Sequence, residues 1–372
     1  MRRIPELDAL RGIAAVVIVV YHLWFPTYGA LGAAVDLFFV ISGYLITTII
    51  LKQSEQPGFL VNFYLRRSLR IWPIYYLSLL LFLAFNSVLP RQYPTEALPY
   101  FLTYTQNIQE YWGGSSPPFV HGFHHTWSLA IEEQYYLFWP IALVLFGRRA
   151  VFPLALTLMA LSMGTRMAGF SRWILITRLD GLALGGILAA MIFANERGQL
   201  SMTRIRRTLL VAGFTSLTFM VRGNALLTGL TATWPALGDP HVVISLRMFA
   251  MNLLFFALIG WIVIDSGNRR WSWLREGRLA ELGQMSYGIY LYHYILLDLV
   301  QDFADRYGIS NRFLIDGLKV SLSFAVAAAS WRCVERPLLG LKDRFGYRER
   351  SHPGKILVPE LTRIESFQPG VR

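Results

Sequence analysis

Cysteine is almost missing from this chain. Cys333 is the only one in 372 residues, which excludes an internal disulfide, a cysteine zinc cluster and a CxxC redox pair. Charge is scarce as well: 16% of residues are charged, against about 25% in ordinary soluble domains. Acidic residues are the scarcer sign, 23 Asp and Glu against 35 Lys and Arg, for a formal charge of +12. No Gly-rich phosphate loop, HExxH zinc motif, GxSxG elbow or Asn-x-Ser/Thr sequon occurs. What is abundant is apolar: 54% hydrophobic and 15% aromatic, with mean hydropathy +0.42. These values exclude a disordered, fibrous or single-domain soluble protein and predict an integral membrane protein.

A membrane-crossing helix needs about 20 mostly apolar residues. Ten runs qualify: Ala9 to Phe25, Ala30 to Leu51, Ile71 to Leu89, Trp127 to Phe146, Val151 to Gly169, Leu175 to Asn195, Thr208 to Arg222, Val242 to Ile264, Leu279 to Val300 and Arg312 to Val334. An apolar piece near Ala97 to Ile108 is too short to span and reads as interfacial or re-entrant. Arg2 and Arg3 before the first run imitate a signal peptide, but Glu6, Asp8 and Arg11 interrupt it, and the run reads as an uncleaved first helix.

With the N-terminus in the cytoplasm, Lys and Arg crowd the inner segments. The outer segments hold only Arg91, Arg172 and Arg306. This asymmetry predicts an all-α bundle of about ten spans with both termini cytoplasmic. Residues 1–338 form its transmembrane domain, and 339–372 a flexible basic tail facing anionic lipid. Topology thus accounts for the basic surplus, and no nucleic-acid partner is expected.

Ionisable groups within spans cost about 2.5–3.5 kcal/mol to insert, so each should face a cavity or a partner. Arg11 and His22 are eleven residues apart, which returns a helix to within about 20° of the same face, about 16 Å further on. Asp8 lies one turn before Arg11 and is expected to pair with it. Asp36 and Gly43 share one side of the second helix. The fourth opens His125-Thr126-Trp127-Ser128 and continues to the adjacent Glu132 and Glu133; one glutamate should turn inward and the other brace a neighbour. Ser286, Tyr290 and His293 form a polar stripe at i, i+4, i+7, either a hydrogen-bond seam between helices or a catalytic face. Gly181, Gly185 and Gly186 have the small-residue spacing of close helix packing. Asp180 and Arg247 lie within spans, where pairing with each other or with headgroups is the plain reading. Arg66, Arg67 and Arg70 crowd the inner mouth before Trp72-Pro73, either as a positive-inside anchor or as guanidinium forks for phosphate. The loop Gly113 to Pro118 reads as a linker or an acceptor entrance.

In these residues the sequence resembles the acyltransferase 3 family of integral membrane acyltransferases. Ile4-Pro5-Glu6-Leu7-Asp8-Ala9-Leu10-Arg11-Gly12 followed by His22 is similar to its opening signature. Asp36-Leu37-Phe38-Phe39-Val40-Ile41-Ser42-Gly43-Tyr44 and Arg66-Arg67-Ser68-Leu69-Arg70 are similar to its second and third motifs. Blocks at His125 to Tyr136, Ser286 to His293 and Val334 to Pro337 resemble later ones, in order.

The resemblance implies a cytoplasmic acyl-CoA donor, usually acetyl-CoA, with no metal, and an acceptor hydroxyl on a cell-surface glycan or lipid-linked sugar. It implies a multi-pass protein of the bacterial inner membrane. It also implies that His22 is catalytic, that Arg11 supports it, and that Arg67 and Arg70, beside Arg66, hold the coenzyme.

A histidine with an unperturbed pKa near 6.5 suits the general base. Asp36 or Glu132 is expected to orient its ring, and Trp127, Ser128, Tyr290 or His293 to face the developing oxyanion. A covalent acyl-histidine relay is the variant mechanism. Larger family members carry an extracytoplasmic hydrolase-like domain, and no second step of that type is expected on this polypeptide. The competing classes are a proton-coupled exporter of sugar or lipid, and a structural or receptor-like bundle. The first lacks a visible two-half repeat, and the second leaves the histidine and carboxylates without a purpose.

Overall fold

Long apolar runs give ten long helices in a computed structural model that describes residues 3–86, 95–108, 123–231 and 233–341. They are α1 (Pro5–Trp24), α2 (Ala34–Gln53), α3 (Phe59–Asn86), α4 (Trp127–Phe146), α5 (Val151–Met167), α6 (Leu179–Glu196), α7 (Met202–Thr231), α8 (Pro240–Ile264), α9 (Arg278–Arg306) and α10 (Arg312–Ser330). The last continues through a π-helical turn, Trp331–Glu335, into Arg336–Leu341. No strand occurs among the described residues. The 97–108 stretch holds a five-residue helix, Leu98–Leu102, docked where the Tyr75 and Tyr76 hydroxyls donate to the carbonyls of Phe101 and Leu102. It does not span. The Gly113 to Pro118 loop and the tail beyond 341 lie outside the described residues.

The bundle buries charged and polar groups within an apolar core and exposes large apolar side chains outside. Phe313, Phe214 and Val221 on helix exteriors are 93%, 76% and 74% exposed, while Glu6, Asp36, Arg166, Arg178, Asp180 and His293 are buried. Water would reverse this distribution, and hydrocarbon outside the bundle favours it. The chain is a polytopic helical bundle. Eight described helices are long and apolar enough to cross a membrane, and α7, bent by 70° near Gly223, makes a ninth. By composition α9 falls short, because its polar stripe dilutes it. Its packing sets it alongside a candidate span nevertheless. Gly12 of α1 abuts Gly283 of α9, and ten residues further along both helices His22 meets His293. Parallel, in-register packing over about 15 Å carries α9 beside a span for most of that span's length.

Two glycine contacts set the architecture. A Cβ on Gly283 would strike the backbone of Asp8, and one on Gly43 the backbone of Leu182. The same holds for Gly185 against Val40 and Tyr44. The glycines of α6 are therefore packing residues, and α2 runs parallel to α6 with Asp36 opposite Arg178 at one end and Lys52 opposite Glu196 at the other. Since the obstacle is backbone, no rotamer relieves it. Gly185→Ala is expected to cost about 3 kcal/mol, the upper end of ordinary overpacking. Gly164→Ala, with open space around the added carbon, should be neutral or slightly stabilising. Thermal unfolding of the detergent-solubilised variants checks both.

One boundary differs from expectation in a way that matters for the site. The third helix begins at Phe59, not at Ile71, so Arg66, Arg67 and Arg70 sit on its early turns rather than in a loop before it. Three arginines lowered the apparent hydropathy of a stretch whose helix is held by neighbours: Tyr64 donates to the Leu137 carbonyl, and Tyr287 donates to that of Ile71.

Candidate active site

Four histidines converge at one end of the bundle. His22 comes from the last turn of α1 and His293 from α9. A short 3-10 turn, His124–Thr126, sets His124 and His125 just before α4. Tight 3-10 turns commonly open helices, and this one is fastened by Thr126 donating to the Phe123 carbonyl and by the Gln106 amide donating to the Thr126 carbonyl.

The hydrogen bonds determine where the protons are. A carbonyl only accepts, so His293 Nδ1, 2.6 Å from the Tyr290 carbonyl, is the protonated nitrogen. In neutral His293 the other nitrogen, Nε2, then accepts. His22 Nδ1 lies 3.0 Å from it and must donate. His22 Nε2 is left with its lone pair, on a side chain that lines a cavity of about 1020 Å³. By the same argument His125 Nε2 donates to the Leu291 carbonyl at 3.2 Å. Its Nδ1 is a buried acceptor with no partner among the described residues.

His293 is therefore the group bonded to the His22 ring, and the expected carboxylates are engaged elsewhere. Asp36 accepts from Arg178 at 2.8 Å, and Glu132 accepts from Ser42 at 2.6 Å. Asp36 still lines the same cavity as His22. Glu133 turns to another neighbour, accepting from Trp72 at 3.0 Å, so both glutamates bond neighbouring helices, where one was expected to turn inward. Of the expected oxyanion donors, Tyr290 gives its proton to the His125 carbonyl. Ser128 must then donate to the Tyr290 hydroxyl, at 2.6 Å, and His293 Nδ1 is committed as above. The indole of Trp127, also on the cavity wall, is the remaining donor of that set.

Arg11 is not paired with Asp8, which bonds Arg3 at 2.6 Å. Its guanidinium stands 5.9 Å from the Phe38 ring centre. It lies close enough to Arg70 for their like charges to interact, as does Arg67. Arg67 in turn stacks 3.8 Å above the ring of Tyr136. Arg11, Arg67 and Arg70 thus form one cationic cluster, and Arg11 belongs to it rather than to the histidines. None of the three makes an ion pair among the described residues. Arg66 lies on the same helix. A second cavity of about 520 Å³ contains Arg3, Lys52 and Arg275, but each is matched by a carboxylate, Asp8, Glu196 and Glu6 in turn.

Between the two clusters α4 supplies a column at helical spacing: Tyr136 beside Arg67, then Glu132, then Ser128 on Tyr290, with His125 beyond. This periodicity is visible in the sequence, but the direction it faces is not.

Several groups escaped the sequence reading. Arg178, the partner of Asp36, sat at the ragged start of a span. Asp180 is paired not with Arg247 but with Arg166, through two bonds of 2.7 and 2.9 Å. Arg172, Trp173 and Tyr294 line the main cavity, and nothing in their sequence spacing marks them. The 223–241 stretch also contributes Gly223 to this cavity, and the turn before α4 contributes His124 and His125.

The chain is similar to the peptidoglycan O-acetyltransferase OatA of Listeria monocytogenes, 27% identical over 383 residues that cover 94% of this chain and 58% of that protein. It is also similar to the O-acetyltransferase OatA of Staphylococcus aureus, 25% identical with 91% and 57% covered. The chain thus spans a little under three fifths of the length of these curated relatives. No solved structure matches it. The family model described as an acyltransferase domain matches residues 4–332, nearly the whole described bundle and both of its polar clusters, and the chain belongs to the acyltransferase 3 family of membrane acyltransferases.

Proposed function

We propose that this protein transfers an acetyl group from cytoplasmic acetyl-CoA to a hydroxyl of a glycan or lipid-linked sugar, with His22 as general base, in a bacterial inner membrane. The observation that carries the reading is the His22–His293 contact, which leaves His22 Nε2 unprotonated on the wall of a large cavity. The acceptor hydroxyl gives its proton to that nitrogen as its oxygen attacks the thioester carbon. The carbon–sulfur bond breaks, and the CoA thiolate leaves and takes up the proton. General-base help of this kind is typically worth 10²–10⁴-fold. The indole N–H of Trp127 is the candidate donor to the oxyanion.

The cationic cluster supports a coenzyme donor. Three guanidiniums that make no ion pair among the described residues, with Asp8, Glu133 and Glu335 near enough to interact through charge alone, suit a diphosphate and a ribose phosphate. Arg11 stands about 16 Å from His22 along α1, a gap that an extended pantetheine arm spans. With the basic end of the bundle in the cytoplasm, the thioester reaches His22 without the coenzyme crossing the membrane. The names of the relatives favour acyl transfer over the exporter reading.

The test is the purified protein in lipid nanodiscs with [14C]acetyl-CoA and surface glycan extract. Labelled ester is expected on the glycan. Arg67→Gln/Arg70→Gln should raise KM for acetyl-CoA at least tenfold with a smaller change in kcat, because a ground-state contact is being removed. No label on any acceptor, or an unchanged KM, would count against the reading. Label retained on the protein without acceptor would mark the histidine relay in place of direct transfer.

A further inference from the structure

The main cavity is cationic, and its cations are unevenly satisfied. Arg172, Arg178 and Arg247 line it, and among the described residues the one carboxylate on its wall is Asp36, which is bonded to Arg178. Arg172 is exposed to the cavity and makes no ion pair among the described residues. Its guanidinium lies 4.9 Å from the ring centre of Trp173, and Trp173 meets Trp127 edge-on at 4.8 Å. Arg172 is also one of three Lys or Arg residues in the outer segments of the sequence, where the charge asymmetry otherwise disfavours them.

The loop bearing Arg172 is fixed in place. Thr177 donates to the Ser171 carbonyl at 2.8 Å, and Arg178 Nε donates to the Arg172 carbonyl at 2.9 Å. The buried Arg166 binds the Thr177 carbonyl at 2.6 Å while it holds Asp180. A network that catalysis does not use thus anchors a guanidinium and an aromatic platform beside the histidines. Aromatic faces pack against the C–H faces of sugar rings, and a planar guanidinium beside them matches a carboxylate or phosphate oxygen pair.

We propose that the acceptor is an anionic glycan, a sugar bearing a carboxylate or phosphate, held by Arg172 over Trp173 so that a neighbouring hydroxyl reaches His22. This rests on the reading of the cavity as the acceptor site.

The experiment uses the full chain in nanodiscs with three soluble probes: a neutral gluco-oligosaccharide, an oligogalacturonate and a phosphorylated hexose oligomer. Binding is followed by saturation-transfer NMR and turnover by [14C]acetyl-CoA. At least tenfold tighter binding of one or both anionic probes over the neutral one is expected, weakening with added salt. Which anionic probe binds distinguishes carboxylate from phosphate. Arg172→Gln should erase the preference by raising KM for the anionic probe more than it lowers kcat, and Arg172→Lys should restore part of it. Equal binding of all three probes, no binding of any, or a preference that survives Arg172→Gln would overturn the proposal. Binding that depends on Arg172 without acetyl transfer would instead uphold the anionic subsite and refute the acyltransfer reading on which its role rests.

Discussion

Replacing His22 with alanine is expected to lower acetyl transfer by at least 10³-fold while the protein stays folded. The position is at the cavity wall and only partly buried, so losing the ring removes hydrogen bonds to His293 and to the Ile18 backbone and opens no hole in the apolar core. What disappears is the nitrogen that the His22–His293 bond leaves unprotonated on the cavity wall at the end of α1. General-base contributions run to about 10⁴-fold, and here the loss also removes any covalent relay.

His293→Ala should behave differently. His22 would keep its ring but lose the acceptor that fixes which nitrogen bears the proton, so kcat should fall about 10–100-fold with KM for acetyl-CoA little changed. A positioning role predicts that split, whereas a purely structural role would lower the yield of folded protein and leave kcat per folded molecule intact. His22→Ala with normal turnover would remove the mechanism. His293→Ala with full kcat would remove only the dyad.

The second large effect is on stability. Asp180→Ala is expected to cost about 3–5 kcal/mol, because it strands Arg166 in the interior without its counter-charge. The two side chains are 0% and 3% exposed. Arg166 also holds the Thr177 carbonyl and reaches Ser162 and Ser245, so α5, α6 and α8 are tied at one point. Arg166→Met/Asp180→Leu should be less destabilising than Asp180→Ala alone, since replacing both charges avoids burying an unpaired ion. Thermal unfolding in detergent compares them, and a single variant no worse than the double would mean that the pair is not dry. If the Arg172 loop depends on this anchor, the double variant should also blunt discrimination between anionic and neutral sugars.

Much of the fold was readable from residue order. Every expected span has its helix, because roughly twenty apolar residues in hydrocarbon have no other way to satisfy their backbone. The glycines of α6 announced a close approach, and Gly185 against Val40 and Tyr44 is that approach. Where a boundary slipped, at Phe59 rather than Ile71, the cause was Arg66, Arg67 and Arg70: charges lower hydropathy whether they face lipid or lie within a bundle.

Partners were another matter. Local spacing suggested Asp8 for Arg11 and a carboxylate for His22. Arg11 instead joins Arg70 from α3, and His22 meets a histidine 271 positions away.

Taken alone, the order of residues determined that this chain is a membrane-crossing helical bundle, which way its charge asymmetry points, and which polar groups lie on a common helical face, since hydropathy and the 3.6-residue period are properties of a single helix. Which face meets which, and therefore that His22 donates to His293, that Arg178 takes Asp36 and that Arg172 opens onto the cavity, was decided only by the tertiary structure. Ten apolar cylinders of similar length can be neighbours in many ways, and only the backbone contacts at Gly12, Gly43, Gly185 and Gly283 select the arrangement in which these groups touch.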